Sequence, residues 1–417
     1  MPCFSFAALF LGAAVVSAQA VPSDLKPLYV SSWSGKVTTL GHCGPKSAAG
    51  GDGAIPVLKT LSETTLGGVQ SFLRMNANNS ILYSVDEGWQ SQSGNGTLHA
   101  LQVKPDGSLQ PLGKQETAPG PVFMEFIDGQ TNMAIPHFGG RAVSVLNVAD
   151  PANMTQVQKE TFELKQPGPK PQQNEAKPHQ TLVDPTGKFL VAPDLGADLI
   201  RIFALGAPTG NSSSPQNNQE KLLRPLEPAK VDAGSGPRHA AFAVADNKTY
   251  LYVVTELSSE LMGFRVLYDA GSMNLLQIFK MKVHGKDASK TPEFAAASEV
   301  AISPDNQFLL VASRNESSLR IPNFDPKNTT ELVSDPISNY KIDTATGELE
   351  ELQIKVPSGG FFPRHFSMNK DGSRVAVANQ QDSRIVIIER DPKSGMLGKF
   401  LGHATLEGPV TSVIFSE

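Results

Sequence analysis

Imidazoles, carboxylates and guanidinium groups recur at two fixed places in a repeated pattern of this 417-residue chain, and they are the groups to weigh first for chemistry. One set opens an apolar run: His179 in KPHQT, Arg238 and His239 in GPRHA, Glu299 in ASEVA, and Arg364 with His365 in FPRHF. The other set closes the run that follows: Asp86, Asp194, Glu256, Arg314 and Asn379, with His137 one place earlier in its unit. Imidazole and carboxylate side chains take and return protons, whereas arginines hold anions in a planar fork. Polar groups standing where a repeat otherwise puts apolar ones point to a ligand pocket, although any one of them serves equally well as a staple between neighbouring elements. HExxH, CxxC and EF-hand spacings do not occur, and neither does a GxSxG elbow. These absences give no support for a structural zinc, an EF-hand calcium loop or a serine nucleophile, and no cofactor is expected.

The elements that must position these groups are short strands. HQTLVDPTGKFLVAPDLGADLIRIF (179–203), RHAAFAVADNKTYLYVVTELSSELMGF (238–264), SEVAISPDNQFLLVASRNESSLRI (298–321) and RHFSMNKDGSRVAVANQQDSRIVII (364–388) each read strand, Asp/Asn/Gly turn, strand, polar turn, strand. MNANNSILYSVDE (75–87) and IDGQTNMAIPHFGGRAVSVL (127–146) carry the same turn and apolar run, which makes six units. A seventh is assembled from the two ends, KPLYVSSWSGKVTTL (27–41) supplying middle strands and GPVTSVIFSE (408–417) an inner one. Such a join closes a ring without a free sheet edge. The fold class expected is all-β: a seven-bladed β-propeller closed by pairing of the amino- and carboxy-terminal strands. Two polar inserts, 165–178 and 206–221, read as solvated loops. In an antiparallel blade the start of the innermost strand and the end of the second lie at one face, so both residue sets converge on one mouth of the central channel.

GPRHAAF followed by VVTELSSEL, PHQTLVDPTGKFLVAPDLGAD, ASEVAISPDNQFLLVASRN and FFPRHFSMNKDGSRVAVANQ closely resemble the seven-bladed lactonase family. That family includes propeller-type 6-phosphogluconolactonases and fungal carboxy-cis,cis-muconate cyclases, and the resemblance runs in order over most of residues 170–390. It implies that His179, Arg238, Glu256 and Arg314 are the catalytic set. Glu256 or His179 would be the general base, and Arg238 and Arg314 would stabilise anions. His239, Asp194, Glu299, Arg364 and Asn379 are the candidate substrate-binding residues around them. Thr181 and Ala301 stand where relatives often carry histidine.

Residues 4–16 are apolar and uncharged, and Ala18-Gln19-Ala20 fits a signal-peptidase site, so 1–20 read as a signal peptide and 21–417 as a single propeller domain. Secretion is the expected localisation. Sequons at Asn78, Asn95, Asn153, Asn211, Asn247, Asn315 and Asn328 suit a glycosylated exterior, with Asn315 directly beside Arg314. Once Cys3 leaves with the signal peptide, Cys43 has no partner in its own chain. With 36 Lys and Arg against 41 Asp and Glu and no basic block, nucleic acid is not an expected partner. No later apolar run is long enough for a membrane span. Trp33 and Trp89 fall near strand ends, where they can pack or stack on a sugar ring. Lys165, Lys170 and Lys177 precede His179 as a solvated loop or an anion funnel. The partner expected is a small lactone or a polycarboxylate. The leading function is an extracellular lactonase acting on a sugar-derived lactone. A muconate-cyclase-like isomerase and a non-catalytic surface glycoprotein are the alternatives.

Overall fold

The computed structural model describes residues 25–43, 55–206 and 221–416, so the 1–20 stretch, Asn211 and nearly all of the 206–221 insert lie outside the described residues. Seven sheets of four or five strands follow one another along the chain, each running from an innermost strand outward. The innermost strands are Gln70–Met75, Glu125–Ile127, Leu182–Val183, Pro237–Ala245, Ala296–Ile302, Pro363–Met368 and Val410–Phe415. The blades they open are called the first to the seventh in that order. The seventh is the composite one: Val410–Phe415 pairs antiparallel with Leu25–Ser32, with Leu28 opposite Phe415 and Val30 opposite Val413. Lys36–Cys43 and Lys59–Thr65 complete that sheet, as the two chain ends led one to expect.

The apolar runs are buried on both faces. In the second strand of the fourth blade, Lys248–Thr255, Leu251 and Val253 enter the core shared with the third blade. Tyr250, Tyr252 and Val254 enter the core shared with the fifth. A strand alternates its side chains between faces, so a strand between two neighbours must be apolar on both. Among the described sequons, Asn78, Asn153, Asn247, Asn315 and Asn328 are exposed and Asn95 is half-buried.

The fifth blade departs from the expected order. The stretch read as its third strand, around Leu319–Ile321, instead forms a separate hairpin with Leu332–Ser334, and the third strand is Pro336–Ile342. The replacement buries Ile337, Tyr340 and Ile342, whereas the run after Ser317 has a single buried apolar side chain before Pro322 ends it.

A bulge recurs at the start of the innermost strands, and it positions the site. Gln70 faces Asp86 but Phe72 faces Val85, leaving Ser71 as the extra residue. Arg238 is extra between Pro237 and His239, Arg364 between Pro363 and His365, and Thr411 between Val410 and Ser412. The second, third and fifth blades show the same one-residue excess, between Pro121 and Glu125, Pro178 and Leu182, and Ala297 and Val300. A bulge turns its side chain out of the pleat, and here it brings Ser71, Arg238 and Arg364 to the mouth.

Candidate active site

Two arginines close on one carboxylate oxygen at the mouth. Arg238 Nε lies 2.9 Å from Glu256 Oε2, and Arg314 Nη2 lies 2.8 Å from the same oxygen. Arg238 is aimed by its bulge, Glu256 follows directly on the second strand of that blade, and Arg314 ends the second strand of the next. Arg238 also donates to the Ser298 carbonyl, Arg314 donates to the Ala296 and Ala297 carbonyls, and the Phe362 ring lies under the Arg314 guanidinium at 4.9 Å. The cations are walled in, at 2% and 6% side-chain exposure, while Glu256 is 25% exposed and faces the opening. Burial would raise the Glu256 carboxyl, but the Arg314 and Arg238 charges prevail and hold it below its ordinary range. Burial and the neighbouring Arg314 bring Arg238 down to about 9, which leaves it a cation at neutral pH.

Beneath this layer an aromatic and imidazole floor spans the channel. His179 Nδ1 is 3.1 Å from His239 Nε2, and His239 Nδ1 is 2.9 Å from Glu299 Oε1. Glu299 Oε2 in turn is 3.8 Å from His365 Nε2. Phe123 meets His239 edge-on at 5.4 Å, Phe72 meets His365 at 5.2 Å, and the two phenyl rings touch at 4.0 Å. Burial pulls all three imidazoles down, His179 and His239 well below the ordinary range and His365 to about 4, so they are neutral at pH 7. Burial pushes Glu299 up.

A third arginine, Arg364, completes the mouth. Its Nη2 donates to Ser71 Oγ at 3.0 Å and to Glu87 Oε1 at 3.3 Å, and Ser71 donates to the same Glu87 oxygen at 2.6 Å. Trp33 lies 5.8 Å from this guanidinium and meets the exposed Trp89 edge-on at 5.3 Å. Of the three loop lysines, Lys177 reaches this region: its ammonium sits 5.0 Å from the Phe138 ring, which abuts His179.

Sequence reasoning missed Glu87. Asp86 took its place in the count, yet Glu87 stands one residue past the strand end just as Glu256 stands one past Thr255, and that alignment would have found it.

Two of the proposed binding residues are staples. Asp194 is fully buried; its Oδ1 accepts from the Lys177, Gly196 and Ala197 amides and its Oδ2 from Arg201 Nε at 2.8 Å. Asn379 is equally sealed, accepting from Ser358 Oγ at 2.9 Å and donating to the Ser358 carbonyl. Neither has a polar atom left for a substrate. His239 and Glu299 bond each other, and His239 also bonds His179. Asp86 and His137 repeat the staple pattern. Asp86 accepts from the Val69 and Gly88 amides, with Gly68 so close that a Cβ there would lie 2.1 Å from the carboxylate. His137 bridges the Ala118 carbonyl and Ser144. Thr181 bonds the Ala134 carbonyl of the second blade, and Ala301 packs in an apolar core, so neither departure from the family pattern lies in the mouth.

A cavity of about 620 Å³ lies at the hairpin-turn end of the first three blades, lined by Arg74, Glu125, Gln130 and Val183. Its lining includes none of the groups described above, and its arginine is already paired with Glu125.

A family model described as "Lactonase, 7-bladed beta-propeller" matches residues 51–415. A protein of Arthroderma benhamiae named "Probable 6-phosphogluconolactonase" is 28% identical over 345 residues, which is 81% of this chain and 77% of that one. The 6-phosphogluconolactonase of Bacillus subtilis is 25% identical over 81% of this chain and 86% of its own length. The solved structure of a periplasmic gluconolactonase from Pseudomonas aeruginosa superposes with a TM-score of 0.73 at 24% identity, covering 94% of this chain and 99% of that one, a likeness of fold.

Proposed function

The chain belongs to the lactonase family of seven-bladed β-propellers, and from that membership we propose that it hydrolyses a small lactone at the mouth formed by His179, Arg238, Glu256 and Arg314. The observation that carries this reading is the pair of walled-in guanidinium groups sharing one oxygen of a solvent-facing carboxylate. Cations fixed and desolvated before the reaction stabilise an oxyanion without reorganising, and Glu256 keeps them aligned while the site is empty. His179 takes a proton from water as the water oxygen attacks the lactone carbonyl carbon. The carbonyl electron pair moves onto oxygen, which the arginines stabilise. Collapse breaks the ring carbon–oxygen bond, and His179 returns its proton to the leaving alkoxide. The product is the open hydroxy acid, which ionises.

In this reading the two arginines supply the positive charge that a Lewis acid would bring, and the reaction runs without a metal. Relatives named 6-phosphogluconolactonase and gluconolactonase support the substrate class. The apolar amino-terminal stretch and the sequons lead us to an extracellular enzyme and to unphosphorylated, sugar-derived lactones.

The test is base consumption on glucono-δ-lactone at constant pH, with and without chelator. Wild type should exceed the spontaneous rate in both, and Arg238→Ala and Glu256→Gln should each lower kcat/KM by about 10² to 10³. Wild type matching buffer alone on sugar-derived lactones sinks the reading. Consumption of carboxymuconate in its place assigns the lactone-forming isomerase.

A further inference from the structure

Glu299 and His239 are buried and bonded to each other, in line with His179. We propose that Glu299 and His239 are positioning residues, a carboxylate–imidazole relay that holds His179 as its Nδ1–H tautomer and leaves Nε2 as a lone-pair base facing the mouth. The proposal rests on the reading of His179 as the group that activates water.

The assignment starts from a backbone amide. Val300 N–H donates to Glu299 Oε1 at 3.1 Å, and with Glu299 as a carboxylate both of its oxygens can only accept. His239 Nδ1, 2.9 Å from Oε1, must therefore carry hydrogen and donate. A neutral imidazole bears one N–H, so His239 Nε2 is an acceptor, and the nitrogen 3.1 Å from it, His179 Nδ1, must donate in turn. That fixes the His179 lone pair on Nε2, which makes no hydrogen bond among the described residues. The opposite tautomer of His239 would set two lone pairs against each other at 2.9 Å.

His365 closes the other side of the carboxylate. Its Nδ1 accepts from the Val413 amide at 3.2 Å, so its hydrogen is on Nε2 and faces Glu299 Oε2. The neutrality that the argument needs has a cause in the surroundings. Burial acts first on His179 and His239, and Arg238, Arg314 and Arg364 add repulsion against a further positive charge. Lys177, over the Phe138 ring, is the other cation beside His179. When His179 takes a proton, the relay lets buried Glu299 offset that charge through His239.

Nitrogen-15 histidine labelling reads the tautomers directly. In the wild type, His179 and His239 should both appear as Nδ1–H with unprotonated Nε2 at pH 7. Glu299→Leu removes the acceptor: both imidazoles should shift toward a tautomer mixture, kcat on glucono-δ-lactone should fall on the order of 10- to 100-fold, and KM should hold. Glu299→Gln keeps an accepting oxygen, so its tautomers should match wild type and its loss of kcat should be the smaller. A wild-type His179 protonated at Nε2 overturns the relay, as does a folded Glu299→Leu with unchanged tautomers. The tautomers are read without turnover, so the two readings fail separately. An inactive wild type with the expected tautomers removes the hydrolase and keeps the relay, and an active one with the opposite tautomer does the reverse.

Discussion

At the scale of single residues, one-position differences separate staples from chemistry. Asp194 and Glu256 both close a second strand, but Asp194 pairs across from Pro178 while Thr255 holds that place in the next blade. Glu256 therefore overshoots the backbone amides and meets the arginines. It is free to do so because Asp198 of the preceding blade already accepts from the Gly234 and Gly236 amides of the loop. His137 shows the other outcome, an imidazole spent entirely on structure. Burial lowers it to about 3, against about 6.5 in an unfolded chain. Between those values the unfolded chain binds the proton and the folded one does not. Its contribution is thus whole above pH 6.5 and is lost as the pH falls, by roughly 2 kcal/mol at pH 5. His137→Gln should flatten the slope of unfolding free energy against pH over that range, as followed by denaturant titration at several pH values. Parallel slopes for variant and wild type would refute the assignment.

At the scale of elements, the bulge and the stapled loop act together. The bulge aims Arg238 and Arg364, each the second residue of its innermost strand, and a buried carboxylate holds the loop leading into such a strand. Asp335 does this for the sixth blade by accepting from the Phe362 amide, and Asp194 does it for the third by accepting from Lys177. Asp194→Ala leaves three amides and Arg201 without their acceptor, and should cost about 2 to 5 kcal/mol of folding free energy. KM measured well below the lowered midpoint should be unchanged. A raised KM with intact stability would return Asp194 to the binding residues. Part of this was visible beforehand, in the proline that precedes Arg238, His179 and Arg364 and marks a strand start. The extra residue after it was not, because a bulge is a property of two strands compared.

At the scale of the whole molecule, closure decides whether the site exists. Val410, Val413 and Phe415 share a core with Leu28, Val30 and Leu40 at one side of the composite blade and with Ile385 and Ile387 of the sixth. Val413 also supplies the amide that orients His365 in the floor. Ending the chain before Val410 bares the edge of Leu25–Ser32 along with that apolar face, and exposed edges recruit other chains. The shortened protein should aggregate or lose its cooperative unfolding transition, as judged by size-exclusion chromatography and calorimetry. A soluble, cooperative monomer would show that the seventh blade is dispensable.

The sequence by itself determined the repeat, the number of blades, the joining of the two ends and the face that carries the polar groups, because strand periodicity and turn chemistry are local and recur unit by unit. It also offered His179, Arg238, Glu256 and Arg314 as candidates, of which the structure brings Arg238, Glu256 and Arg314 into contact. Tertiary structure decided which polar groups were already satisfied. Asp194 and Asn379 are consumed by backbone and side-chain partners, Glu87 is drawn in beside Arg364, and Glu299 is set behind two imidazoles. Those outcomes depend on which amides and side chains other blades bring within hydrogen-bonding distance, some 60 residues away for the Glu299 and His239 pair, and no local pattern encodes a contact of that kind.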